Sequence, residues 1–281
     1  MTRPMDLYLK ITLELSRRLT KAYTSSFYAG MRLLSPGQRK AIYGIYGFVR
    51  VADEIVDTFH DADQKSMLEK FKADTYEAIE QGISANPILH SFQWVVNQYG
   101  ITQELVEAFF TSMEMDLVKH HYDENSYEKY IYGSAEVVGL MCLKVFYPDD
   151  GPAYEHLVYP ARKLGQAFQK INFLRDIGAD QHIRDRVYFP GLKVESFQAD
   201  TKKQIEAEIR ADFEEALPGI RLLNRNVRLG VYLAYLYYYR LLIEIEKWSP
   251  EELRAERASV SRWRKLLLLG RALVRGYSGR I

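Results

Sequence analysis

The sequence predicts an all-α fold, and three observations carry that expectation. Apolar residues recur at i, i+3, i+4 and i+7 through 6–22, 37–58, 64–82, 102–119, 127–147, 153–180, 202–216, 219–247 and 251–274. Alternating β patterns are scarce, and the short run Val187 to Pro190 is the nearest thing to an extended piece. Turn chemistry falls where the helical stretches meet.

Taken in order, the first stretch carries a charge in nearly every turn and has no apolar run of the secretory-signal kind. Ser35-Pro36-Gly37 precedes the second helix. Most of 41–57, AIYGIYGFVRVADEIVD, is small and apolar, so most of its circumference is expected to be buried. Pro148 to Pro152 marks a sharp turn before 153–180, and Pro190-Gly191 closes a loop after it. Ser249-Pro250-Glu251-Glu252 reads as an N-cap, a proline at N1 and acids in the first turn. No internal repeat and no Ser/Gly-rich linker interrupts the pattern, so residues 1–281 are expected to form one domain.

Composition narrows the function classes. The formal charge is +1, from 38 basic and 37 acidic residues, so no global basic field points to a nucleic-acid partner. One cysteine, Cys142, excludes a disulfide framework and a cysteine-based zinc site, suits a reducing cytoplasm, and reads as a small core residue. The longest apolar runs fall far short of the ~20 residues a spanning helix needs. The unusual count is 21 Tyr beside 13 Phe and 3 Trp, aromatic surface that must enter a core, a cavity wall or an interface. Charge is also uneven. From Arg257 to Ile281 there are seven basic residues and no acid, interleaved with Leu266 to Leu269, Leu273 and Val274. Such an end suits either an anionic membrane surface or a packed last helix whose cations match its dipole, and the two can coexist.

Two polar stripes stand out against apolar helices. Arg50, Asp53, Glu54 and Asp57 lie at offsets of 3, 4 and 7, on one face. Burying three acids beside one arginine is costly unless something cationic joins them. In 165–180, Gln166, Gln169, Asn172, Asp176 and Asp180 again form one line among apolar neighbours. Acids at i, i+4 repel unless a counter-ion sits between them. Mg²⁺ fits, because it takes oxygen ligands, typically one or two carboxylates with water and substrate phosphates. Two such stripes facing each other would hold several Mg²⁺ ions over diphosphate, an arrangement suited to ionising an allylic diphosphate beside an apolar cavity.

These residues, with several others, resemble the squalene/phytoene synthase family of head-to-head prenyl transferases. Asp53-Glu54-Ile55-Val56-Asp57 resembles its first aspartate-rich motif, and Asn172 to Asp180 resembles its NxLRDxxxD signature. Asp185-Arg186-Val187-Tyr188-Phe189-Pro190 is similar to the GRxYxP segment, with Asp185 where glycine is usual. Thr24 to Tyr28, Met113 to Leu117, Tyr132 to Ala135 and Ser261 to Lys265 add matches in chain order.

The resemblance implies an isoprenoid-synthase fold, a helical bundle around a central cavity. It implies Mg²⁺-dependent coupling of two prenyl diphosphates through a cyclopropyl diphosphate, with Mn²⁺ as an alternative ion. By position, Asp53, Asp57, Asp176 and Asp180 would bind the metal, with Asn172 as a further ligand and Gln169 in support. Arg50 and Arg175 would touch diphosphate. Ser26, Phe27, Tyr132 and Tyr188 would line the site, with Tyr132 among the catalytic set. A C-terminal tyrosine falls among Tyr237, Tyr238 and Tyr239, which spacing does not separate; Tyr238 is taken as the representative. Arg257 would be the tail arginine, within one or two positions. One departure is that Tyr23, Thr24 and Ser25 stand where the family often has His or Lys, so no charged contact is expected there.

The remaining motifs carry less. His120 and His121 point about 100° apart on a helix and do not chelate together. His60, His90, His156 and His182 show no partner spacing, and no glycine-rich nucleotide motif is present. The expected reaction is two geranylgeranyl diphosphates to phytoene, with no nucleotide cofactor. The rivals are a farnesyl diphosphate-using dehydrosqualene or squalene synthase, and a non-catalytic helical binding subunit.

Overall fold

A computed structural model describes residues 4–118, 121–184, 186–192, 197–277 and 281, without the side chains of 181–184 and 277. In chain order the helices are α1 (Pro4–Tyr23), α2 (Ser26–Met31), α3 (Pro36–Asp57), α4 (Gln64–Gln81), α5 (Pro87–Tyr99), α6 (Gln103–Val118) and α7 (Glu124–Ile131). A π-helical turn, Tyr132–Glu136, leads into α8 (Val137–Phe146), followed by α9 (Gly151–Arg184), α10 (Ala199–Leu222), α11 (Arg225–Ile245), α12 (Pro250–Ala255) and α13 (Arg262–Tyr277). The all-α expectation holds: the only β feature among the described residues is a single parallel bridge, His121 to Val187.

Local chemistry explains the boundaries. Asp63, Asn86 and Asp123 each accept a backbone N–H at the start of α4, α5 and α7. Gly82 and Gly100 end α4 and α5 at φ of 69° and 62°, the left-handed region that glycine enters without a side-chain clash. Ser249 and Glu252 form a reciprocal capping box on α12.

Four elements differ from the periodic reading, the first being the short α2 (Ser26–Met31), which lies outside every expected stretch. Helix α5 falls outside every expected stretch, because His90, Ser91 and Gln93 are buried and blur its apolar face. Helix α10 runs through Pro218 to Leu222, whereas the reading breaks at 216–219. The stretch 251–274 is two helices, α12 and α13.

Aromatic packing forms one core where Phe48 stacks on Phe92 at 3.8 Å and lies within 6 Å of Phe71, Phe109 and Phe110. A second core gathers α7, α9, α10 and α11 around Ile171, Leu174, Phe213 and Leu233. Side chains of both cores face the cavity described next. Two close approaches set its walls. A Cβ on Gly30 of α2 would lie 2.8 Å from the Gly230 carbonyl oxygen of α11, and one on Gly133 would lie 2.2 Å from the Ala108 carbonyl oxygen of α6.

Candidate active site

Asp53 and Asp57 stand one turn apart on the last turns of α3, and Asp176 and Asp180 stand likewise on α9. The packing of the bundle turns both pairs into one cavity of about 580 Å³, together with Phe27, Arg50, Gln169, Asn172, Arg175, Tyr188, Tyr238 and Arg257. Away from this polar end the walls become apolar: Val138, Cys142 and Phe146 of α8, Leu157, Ala161 and Leu164 of α9, Ala216 and Ile220 of α10.

Guanidinium groups meet the carboxylates. Arg186 Nη1 donates to Asp57 Oδ1 at 2.7 Å. Arg50 Nη1 lies 3.9 Å from Asp53 Oδ2, its other nitrogen pairs with Glu54, and the Tyr23 ring lies 4.2 Å away. Asp176 is held by two forks. Arg175 donates at 2.8 and 2.6 Å, and Arg257 donates at 2.6 and 3.1 Å. Burial alone would raise the Asp176 carboxyl, but the two forks outweigh it and hold it below the ordinary aspartate value.

Arg257 is placed by a close helix contact. Gly178 lies between Asp176 and Asp180, and the Arg254 carbonyl oxygen of α12 sits 2.1 Å from where its Cβ would be. The missing side chain lets α12 rest on the α9 backbone, and Arg257 follows α12 by two residues.

The donor set is hard and oxygen-rich. Among the described residues no three of His, Cys, Asp and Glu converge to hold an ion unaided. The cavity offers instead two carboxylate pairs and Asn172 Oδ1, which is buried without a hydrogen-bond partner. That fits Mg²⁺, whose usual shell joins one or two carboxylates to water and phosphate oxygens. Asn172 Oδ1 is the acceptor such an ion would satisfy.

The structure separates the three adjacent tyrosines. Tyr237 donates to the Lys265 carbonyl at 3.0 Å, and Tyr239 accepts from Arg210 at 2.6 Å, each turned away from the cavity. Tyr238 faces inward, with ring centroids 4.2 Å from Phe168 and 5.1 Å from Phe27. Its phenol is raised by burial.

Four expectations differ. Tyr132 is not part of the cavity wall; it opens the π turn and its ring lies beneath Arg162, 5.3 Å away. Helical positions two apart point about 200° apart, so only one of Tyr130 and Tyr132 can face inward, and Tyr130 does. Ser26 is the first residue of α2 and lies outside the wall, leaving Phe27 to line it. Gln166 leaves the polar stripe to donate to Glu136 Oε1 at 2.7 Å, while Glu54 is taken by Arg50. Cys142 lines the apolar wall rather than a closed core, and burial pushes its thiol up to about 12. Asp185 and His120, and the side chain of His182, lie outside the described residues.

Four functional candidates were given no role by the sequence reading, although Asp116, Arg186 and Lys265 lie within motifs matched above. Asp116 is buried at the end of α6 and accepts from Tyr130 at 2.7 Å and Tyr188 at 3.0 Å, with Arg186 Nη1 3.5 Å away. Burial raises its carboxyl to about 6 against the pull of Arg186. A signal existed, since Phe109, Met113 and Asp116 share one helical stripe. Tyr130 and Arg186 belong to the same cluster. Lys265 of α13 donates to Ser25 Oγ at 2.8 Å, next to Thr24 on the cavity wall. A cation therefore does reach the Tyr23–Ser25 segment, from the far end of the chain. Burial first, then Arg175, lowers its ammonium.

Residues 20–264 match squalene/phytoene synthase, a span that takes in both aspartate pairs, Asp116, Tyr130 and Arg257. The chain belongs to the squalene/phytoene synthase family. It is therefore a prenyltransferase, of the kind that condenses prenyl diphosphates head to head. It is 31% identical to phytoene synthase 2, chloroplastic, of Solanum lycopersicum, over 90% of this chain and 87% of that one. It is 24% identical to the 4,4'-diapophytoene synthase of Staphylococcus haemolyticus, over 88% and 91%. A dehydrosqualene synthase crystal structure superposes with a TM-score of 0.83 at 22% identity, covering 98% of this chain and 100% of that one, which establishes the shared fold.

Proposed function

We propose that this prenyltransferase joins two geranylgeranyl diphosphates to phytoene, with Mg²⁺ bound between the two aspartate pairs. The supporting observation is the length of α9 along which residues line the cavity. At about 1.5 Å per residue, the part of α9 from Leu157 to Asn172 rises about 22 Å. With carbon–carbon bonds near 1.5 Å, an extended prenyl chain advances about 5 Å per isoprene unit, so four units need about 20 Å and three about 15 Å. The four-unit chain fills that wall. The phytoene synthase of Solanum lycopersicum supports the same reading. The 4,4'-diapophytoene synthase of Staphylococcus haemolyticus supports the rival, a three-unit substrate.

Asp53, Asp57, Asp176 and Asp180, with Asn172 Oδ1, would hold the metal, which supplies positive charge to the departing diphosphate. Arg50, Arg175, Arg257 and Lys265 bind the remaining diphosphate oxygens and fix which carbon faces the second substrate. Asp176 is already countered by two guanidinium groups, so these arginines exchange a carboxylate for phosphate oxygens when substrate enters. Phe27, Phe168 and Tyr238 present ring faces to the carbocation and exclude water from it. Tyr130 and Tyr188, tied to Asp116, hold the far side of the polar end in place. The allyl cation left when the first diphosphate departs is attacked by the double bond of the second substrate, and loss of a proton closes the ring to the cyclopropyl diphosphate. Departure of the remaining diphosphate, rearrangement and loss of a second proton give the hydrocarbon.

Supplying the purified chain with both diphosphates and Mg²⁺, and identifying the hydrocarbon by mass, tests this reading. A C40 product is expected. A C30 product alone would transfer the assignment to the three-unit rival.

A further inference from the structure

Helix α13 has an outer face that nothing among the described residues covers. Its inner face is fixed to α11: Ala272 is fully buried, Arg275 Nη1 donates to Tyr232 at 2.9 Å, and Tyr237 donates to the Lys265 carbonyl. On the opposite side Trp263, Leu266, Leu267 and Val274 recur at helical spacing and are 79%, 57%, 72% and 70% exposed. Isolated exposed apolar residues are ordinary, but these form one continuous ridge on one helix. Arg262 and Arg271 flank the ridge and are exposed as well. No acid occurs from Arg257 to the end of the chain.

We propose that this ridge docks on an anionic phospholipid bilayer, with α13 lying in the interfacial plane. The apolar side chains would enter the headgroup boundary while Arg262 and Arg271 meet lipid phosphates. The same helix touches the cavity rim, because Lys265 on its inner side reaches Ser25 beside Thr24. Docking by α13 therefore brings the bilayer next to the cavity that handles long hydrocarbons. No helix among the described residues is long and apolar enough to cross a membrane, so the contact is peripheral. A second copy of the chain fits less well, since two such ridges would face each other with like charges.

The surface can be tested without turnover, so failure of this inference and failure of the proposed reaction are distinguishable. The full chain is sedimented with phosphatidylcholine vesicles, with and without phosphatidylglycerol, while Trp263 reports burial by quenching from brominated lipid. Binding is expected only with phosphatidylglycerol, and it should fall as salt rises. Arg262→Gln and Arg271→Gln should each weaken it about fivefold. Leu267→Ser should weaken it about tenfold, with helicity and melting temperature unchanged, since the side chain is exposed. Equal binding to neutral vesicles overturns the electrostatic part. Absence of vesicle binding together with dimers that Leu267→Ser dissolves would assign the ridge to a second copy and overturn the proposal.

Discussion

Gly178 sits between the two aspartates of the second stripe, and an alanine there has nowhere to place its methyl group. An added Cβ would lie 2.1, 2.7 and 2.9 Å from the carbonyl oxygen, carbon and Cα of Arg254. These are backbone atoms and cannot rotate aside, so α12 must move outward by about 1 Å or more in an interior that is already close-packed. Arg257 follows α12, and its fork on Asp176 is only 2.6 and 3.1 Å long. A shift of that size takes the guanidinium out of hydrogen-bond reach, and misplacing a positioning group by about 1 Å costs about 10²-fold in rate. Gly178→Ala should therefore lower kcat/KM by about 10²-fold, or about 3 kcal/mol. Arg257→Ala should cost a similar amount, and the double variant should be no worse than Arg257→Ala alone, because both remove one interaction. Gly37→Ala, whose Cβ meets nothing within 4 Å, serves as the control and should leave the rate unchanged. Steady-state kinetics of the four proteins, with circular dichroism to verify folding, checks the cycle. If the two costs multiplied, Gly178 would not act through Arg257 and the reasoning would fail.

Other expectations follow from the same geometry. Tyr130→Phe removes the 2.7 Å hydrogen bond to buried Asp116 and should cost about 1–3 kcal/mol of stability along with most turnover, whereas Tyr132→Phe should change turnover by less than about twofold. Ala216→Phe places a ring in the apolar wall and should depress four-unit substrate use far more than three-unit use, read as a fall in the C40 to C30 product ratio. Asp116 titrates near 6 in the fold and near 3.8 unfolded, so the folded chain binds the extra proton in that window and this group's contribution falls by about 3 kcal/mol as pH rises through it. Urea unfolding of wild type and Asp116→Asn at several pH values between 4 and 7 should show that slope in the wild type and its loss in the variant.

The aspartate pairs were legible because charge at i, i+4 on an apolar helix has few uses, and the fold indeed turns both into one cavity. Arg50 and Arg175 adjoin or belong to these motifs, Arg257 came from the resemblance to within one or two positions, and all three line the cavity. What could not be read was orientation where the helix departs from a 3.6 period. Tyr132 was assigned by resemblance alone, and the π turn at Tyr132–Glu136 gives no composition signal that would have pointed to Tyr130 as the inward-facing ring. Nor does spacing separate Tyr237, Tyr238 and Tyr239, since three successive helix positions cover most of the circumference. Lys265 and Ser25 are 240 residues apart, a contact that only tertiary packing reveals. Helix α5 carried its own signals, Asn86 before Pro87 and a closing Gly100, but its buried polar residues hid the period. The aromatic excess has two destinations: Phe48, Phe92 and Phe109 fill a core, while Phe27, Phe168 and Tyr238 face the cavity.

The central claim is that two aspartate pairs on α3 and α9 jointly hold a metal-bound diphosphate. Titrating inorganic pyrophosphate into the folded chain by calorimetry, with Mg²⁺ and then with chelator, tests it most directly. Binding should require Mg²⁺, and Asp53→Asn and Asp176→Asn should each weaken it at least about tenfold while leaving helicity intact. Equal binding in chelator, or full affinity in both variants, would contradict the account.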